Sequence, residues 1–133
     1  MSELASLSLE RHRSIALAVV SGEIDLSNAD ELRNRIARWV INDDVALILD
    51  FTDISYTDSA GINLLFDLSA RLREHGQGLC VILPADSQPR RTFAIVGVEE
   101  RVPIFETAAD AEGWAGGATT SRPPREGDAA RED

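Results

Sequence analysis

Residues 45–83, VALILDFTDISYTDSAGINLLFDLSARLREHGQGLCVIL, carry the pattern that decides the fold. Residues 45–49 form an unbroken apolar run, and 79–83 form another. Between them a polar stretch, 52–58, reads as a loop, and a helix begins near Ser59. Ile62, Leu65, Phe66, Ser69 and Leu72 share one face of that helix, and Gly76 is placed to stop it in a left-handed cap. Apolar runs separated by single helices are the mark of parallel strands covered by helices.

The same grammar extends in both directions. Upstream, Leu7 and Leu9 alternate with Ser8 and Glu10, and 15–20 is unbroken, which predicts a half-buried edge strand and a buried strand joined by a turn at 11–14. Ala29, Leu32, Ile36, Trp39 and Val40 then recur at helical spacing. Ser27 or Asn28 is the expected N-cap, with Asp30 or Glu31 completing a capping box. Downstream, Ser87, Pro89 and Gly97 bound a short helix over about 88–96. Ile104 and Phe105 read as a short edge strand, and Thr107 with Asp110 caps a last helix over 108–114. The predicted fold is a single α/β domain over residues 1–115, with a mixed, mainly parallel central sheet and interleaved helices. Residues 116–133 have no apolar period and read as a disordered tail.

Composition narrows the function. The chain has 133 residues, 44% of them apolar, enough for one core without disulfides or metal. Its 23 acidic residues outnumber 13 basic ones, all arginine, for a net charge of −10. Such a surface repels phosphate backbones and anionic lipid, so neither nucleic acid nor membrane is an expected partner. A protein with a basic patch suits the charge, as does mere solubility. The single cysteine, Cys80, lies in an apolar run and reads as a small core residue. With no secretory signal pattern and no apolar run approaching a membrane span, the expected location is the cytoplasm.

In a parallel sheet the useful crevice lies beyond the carboxyl ends of the strands, here the segments after Val20 and Leu49. The first carries Gly22, Glu23, Asp25 and Ser27; the second carries Asp53, Ser55, Thr57, Asp58 and Ser59, then Gly61 and Asn63. Ser59 stands out, because a hydroxyl at a helix start meets unpaired N–H groups and tolerates a phosphate. A plain N-cap role for Ser59, Asp58 or Thr57 is the competing reading.

Catalysis has little support. T-D-S-A-G lacks the first glycine of a nucleophile elbow, and the only histidines, His12 and His75, fall in a turn and at a helix end. No metal-ligand pattern and no phosphate-binding glycine loop is present, and Asp25 with Asp58 as an acid pair competes with ordinary capping. Trp39 and Trp114 fall on core-facing positions. Phe93, Ile95 and Val96 fit either packing under the sheet or an exposed rim.

Taken together, S-G-E-I-D at 21–25, L-I-L-D-F-T-D-I-S-Y-T-D-S-A-G at 47–61, and R-T-F-A-I-V-G-V with I-F-E-T-A-A-D-A near the C-terminus resemble a STAS domain of the bacterial anti-sigma factor antagonist type. The resemblance implies a cytoplasmic protein, monomeric when free, that binds an anti-sigma factor acting as a serine kinase and thereby frees a sigma factor. Phosphorylation reverses the binding. By motif, Ser59 stands at the phosphoacceptor of D-S-x-G and Asp25 at the acid of the G-E-[IL]-D loop. Asp58, Ala60, Gly61 and Asn63 flank the implied docking site. The kinase would supply ATP and metal, so the chain needs no cofactor and is a substrate, not an enzyme. Ala60 departs from a second hydroxyl common in relatives, and Gly97-Val98 replaces a frequent Gly-Leu. Within the same fold, an unphosphorylated scaffold or an accessory subunit of a transporter or stress-signalling complex is the alternative; a serine or acid hydrolase is the rival outside it.

Overall fold

Because successive side chains on a strand point to opposite faces, a run that is apolar at every position must be covered on both sides. The computed structural model, which describes residues 4–121 and their side chains as far as 117, has that arrangement. Strand β1 (Ala5–His12) pairs antiparallel with β2 (Ile15–Ile24) through the two-residue turn Arg13–Ser14. Both turn residues have positive φ, 54° and 67°, the backbone that matches the twist of a tight hairpin. Strands β3 (Ala46–Thr57), β4 (Gly78–Ile82) and β5 (Ile104–Phe105) follow in parallel, and the sheet order is β1-β2-β3-β4-β5. The crossovers are α1 (Ala29–Trp39), α2 (Ser59–Glu74), and α3 (Gln88–Val96) with a 3₁₀ turn at Val98–Glu100. Helix α4 (Ala108–Ser121) closes the described chain.

The strand alternation sorts the core into two layers. Leu47 and Leu49 of β3 and Leu79 and Val81 of β4 pack with Leu32 and Ile36 of α1, Leu65 and Leu68 of α2, and Phe93 of α3. Their neighbours Ala46, Ile48, Cys80 and Ile82 point the other way, onto Ala111 and Ala115 of α4. Burial pushes the Cys80 thiol up to about 12, so it behaves as the apolar residue its context predicts. Trp39 and Trp114 are half-buried on the core sides of their helices, as their spacing implied.

Two boundaries differ from the sequence reading. The expected loops after Val20 and Leu49 are largely strand: β2 runs to Ile24 and β3 to Thr57, with register shifts between Val19 and Ser21 and between Gly22 and Glu23. These irregularities let Phe51, Ile54 and Thr57 face inward at three-residue intervals, a pattern that simple alternation does not recognise. Gly22, at φ 100°, sits where a side chain would run into the Leu4 carbonyl, which accepts the Glu23 N–H. The last helix continues past Trp114 to Ser121, with Ala111 and Ala115 buried against β3 and β4. The remainder of the expected tail, 122–133, lies outside the described residues.

Candidate functional site

Parallel pairing brings Ile24 beside Thr57, so β2 and β3 finish together and the starts of α1 and α2 share one edge of the domain. Each start is built differently. In the first, Asp25 Oδ1 accepts from the Ser27 N–H at 2.8 Å and from its hydroxyl at 2.6 Å. Those bonds, the hydroxyl's foremost, hold the Asp25 carboxyl below its ordinary range. Asn28 is buried and does not cap α1 with its side chain. Its Oδ1 accepts from the Asp25 N–H and its Nδ2 donates to the Glu23 carbonyl, bracing the loop instead. The knotted loop carries Leu26 outward, where it is 86% exposed.

In the second, Asp58 takes the capping duty. Its Oδ1 accepts from the Ala60 N–H at 2.8 Å, while Thr57 donates its N–H to Gln88 Oε1 and ties the strand end to α3. Ser59 is therefore the first helical residue and not the cap. Its side chain is exposed, with no hydrogen bond among the described residues. Gly61 lies buried beneath it: a Cβ there would collide with Thr57 Oγ1 and touch Ile24.

Asp58, Ser59, Ala60, Asn63 and Leu64 form one wall of an open groove of about 230 Å³. The facing wall is Leu26, Ala29, Asp30 and Arg33 of the loop and α1. The structure thus gathers Asp58, Ser59, Ala60 and Asn63 on one surface, puts Asp25 in the loop that presents Leu26, and places Gly61 underneath as a packing residue. Leu26 and Arg33 were missed by sequence reading. A lone leucine among the polar residues 25–28 was the available signal for one; for the other it was an arginine one helical turn beyond Ala29 and Asp30. Of the unresolved trio, Phe93 is fully buried, whereas Ile95 and Val96 are exposed.

The groove offers poor prospects for catalysis. Neither His12 nor His75 lines it. The Asp25 carboxyl is depressed where a shared proton would require a raised one, and its oxygen is engaged by Ser27. Among the described residues no helix is long and apolar enough to cross a membrane, and no group of three or more His, Cys, Asp or Glu side chains is disposed to hold a metal ion.

Residues 6–111 match the family profile of the STAS domain. The chain belongs to the STAS domain family. Among its relatives is the anti-sigma-F factor antagonist RsfB of Mycobacterium tuberculosis, 28% identical over 101 residues, which cover 75% of this chain and 80% of that one. Two solved structures share the fold. The crystal structure of an anti-sigma factor antagonist from Mycobacterium paratuberculosis aligns with a TM-score of 0.75 at 24% identity, covering 84% of this chain and 93% of the other. The Bacillus cell fate determinant SpoIIAA in its phosphorylated form aligns with a TM-score of 0.59 at 22% identity, covering 82% and 98%. This STAS domain is accordingly a binding module and not an enzyme.

Proposed function

We propose that the protein is an anti-sigma factor antagonist: through the edge formed by the Asp25–Leu26 loop and the start of α2 it binds an anti-sigma factor, and phosphorylation of Ser59 ends that binding. The partner is a serine kinase, and its sequestration frees a sigma factor for transcription in the cytoplasm. The observation that carries this reading is the exposed, unbonded Ser59 hydroxyl at a helix start whose capping is already done by Asp58. The hydroxyl can be modified without removing a bond that the fold uses. The likeness to RsfB supports the partner class, and the phosphorylated SpoIIAA structure is consistent with a phosphate on this fold.

In the transfer, Ser59 Oγ bonds to the γ-phosphorus of ATP as the bond to ADP breaks, and the hydroxyl proton goes to a base of the kinase. The product carries about −1.5 to −2 charge beside Asp58 and Asp30. Repulsion and desolvation then oppose a partner surface shaped for a small neutral serine. Asp25, Asp58, Ser59, Ala60 and Asn63 are the contact residues, with Gly61 holding the helix start in position. The free protein is a monomer in this reading.

A pull-down from host lysate with wild type, Ser59→Ala and Ser59→Asp tests it, with intact-mass analysis after Mg-ATP. The expected result is a kinase-like partner held by wild type and Ala, weakened by Asp, and one phosphate gained by wild type alone. Capture of a transporter or large scaffold by all three forms, with no phosphate gained, would overturn it in favour of an accessory subunit.

A further inference from the structure

The groove beside Ser59 holds one cation among the described residues, Arg33 of α1, and the chain contains no lysine to compete with it. Arg33 Nη1 bonds Asp30 at 3.1 Å on its own helix and Asp67 at 3.3 Å on α2, and its Nη2 donates to Asn34 Oδ1 at 3.4 Å. Both carboxylate contacts are longer than a strong charge-assisted bond and both carboxylates are well exposed, so each is weak, and the Asn34 contact is longer still. Ser59, Asn63 and Asp67 follow one another at four-residue intervals along α2, a single stripe on the α1 side. The helices are parallel crossovers of neighbouring strands, so sliding from Asp67 toward Ser59 moves the guanidinium along the groove toward both helix starts. Two backbone donors at that start are already taken, the Ala60 N–H by the Asp58 carboxylate and the Gly61 N–H by the Asp58 carbonyl.

We infer that Arg33 is the receiver of a phosphoryl group on Ser59: on modification its guanidinium leaves Asp30 and Asp67 and pairs with the phosphate across the groove. The inference rests on the phosphorylation of Ser59 proposed above. A dianion with three acceptor oxygens offers the planar guanidinium a bidentate partner, which neither exposed carboxylate gives it now. The exchange spreads the change over both helices. The phosphate is partly neutralised, while Asp30 and Asp67 lose their cation and present uncompensated negative charge to an approaching partner. An aspartate at position 59 is shorter and carries one charge, so it leaves Arg33 where it is. Ser59→Asp therefore mimics the modified protein incompletely.

The test uses full-length protein with phosphoserine installed at position 59 by genetic code expansion, so no kinase is needed. The second ionisation of the phosphate is followed by ³¹P NMR in the parent, Arg33→Lys and Arg33→Gln. The expected midpoint is about one pH unit lower in the parent than in Arg33→Gln, with Arg33→Lys between them, and the Arg33 Nε signal shifts as the phosphate ionises. Thermal melts of the unmodified variants check that each is folded. Equal midpoints in parent and Arg33→Gln, or an Arg33 signal that ignores the phosphate, would overturn the role of Arg33. Partner binding on the same samples separates the two readings. Release without a midpoint difference defeats only the Arg33 inference, whereas a midpoint difference with undiminished partner binding upholds Arg33 and defeats the proposed switch.

Discussion

Arg11 grips both carboxylate oxygens of Asp44, its Nε and Nη2 each donating at 2.8 Å, and so fastens the first strand to the turn that precedes β3. Asp44 is only 1% exposed, and the same arginine donates to the Trp39 carbonyl at 2.7 Å and lies over the Trp39 ring. The Ile41 N–H and the Gln77 side chain complete the cluster, with Gln77 Nε2 donating to the Ile41 and Asp44 carbonyls. Replacing Arg11 with alanine strands a buried carboxylate. The expected cost is about 2–3 kcal/mol, toward the low end for a buried pair because the arginine itself is partly exposed, and urea denaturation would measure it.

The same pair sets an acid limit on the fold. Burial works against ionisation of Asp44, but the Arg11 hydrogen bond and the Ile41 N–H outweigh it and hold the carboxyl below its ordinary range. A carboxylate whose folded pKa is depressed adds stability that is complete above its unfolded pKa of about 3.9 and lost as pH falls through the lower folded value. Asp44→Asn should be less stable than wild type at neutral pH. Its stability should also fall less steeply on acidification below about pH 4, read from denaturation midpoints across pH.

Leu26 separates docking from stability. At 86% exposure it contributes little to the core, so Leu26→Ser should leave the folding free energy within about 0.5 kcal/mol of wild type. As the apolar member of the groove rim it should carry partner affinity, with an expected loss of about tenfold by titration calorimetry. Unchanged affinity would remove the loop after β2 from the contact surface.

Gly61 should behave in the opposite way. A methyl group at that position meets Thr57 Oγ1 and Ile24, and Gly61→Ala should cost about 1–3 kcal/mol through a displaced helix start. Adding Thr57→Ala removes the oxygen in the way. The double variant should then lose less than the sum of the two single changes, a non-additivity that a double-mutant cycle reads directly.

The strands and helices were legible because their periods are clean: unbroken runs at 45–49 and 79–83, helical spacing from Ala29 to Trp39, and glycines at 76 and 97 that do end helices in left-handed geometry. The ends of β2 and β3 were not. There the inward residues Phe51, Ile54 and Thr57 are three apart, because register shifts break the two-residue alternation on which strand reading relies. At the candidate site, Ser59 and Asp58 could be placed from D-S-A-G, but the division of labour between them could not, since Ser, Asp and Thr compete on equal terms for an N-cap. Asn28 does occupy the N-cap position of α1, but without a side-chain cap bond. Its side chain serves the loop behind it, a choice fixed by the burial of that loop and invisible in the local sequence. Arg11, read as part of a turn, depends on a partner 33 residues away and gave no local sign.

The Arg13–Ser14 turn sits at the opposite end of β2 from the Ser59 edge, about ten residues or roughly 30 Å along the sheet. Strain from two non-glycine residues at positive φ, and the Arg11–Asp44 clasp beside it, are thus concentrated where no partner need come. The molecule therefore has a natural handle. A dye, a tether or an inserted peptide at the turn leaves the regulatory edge free, and drift of sequence at that pole can retune how firmly the domain holds together without altering whom it recognises.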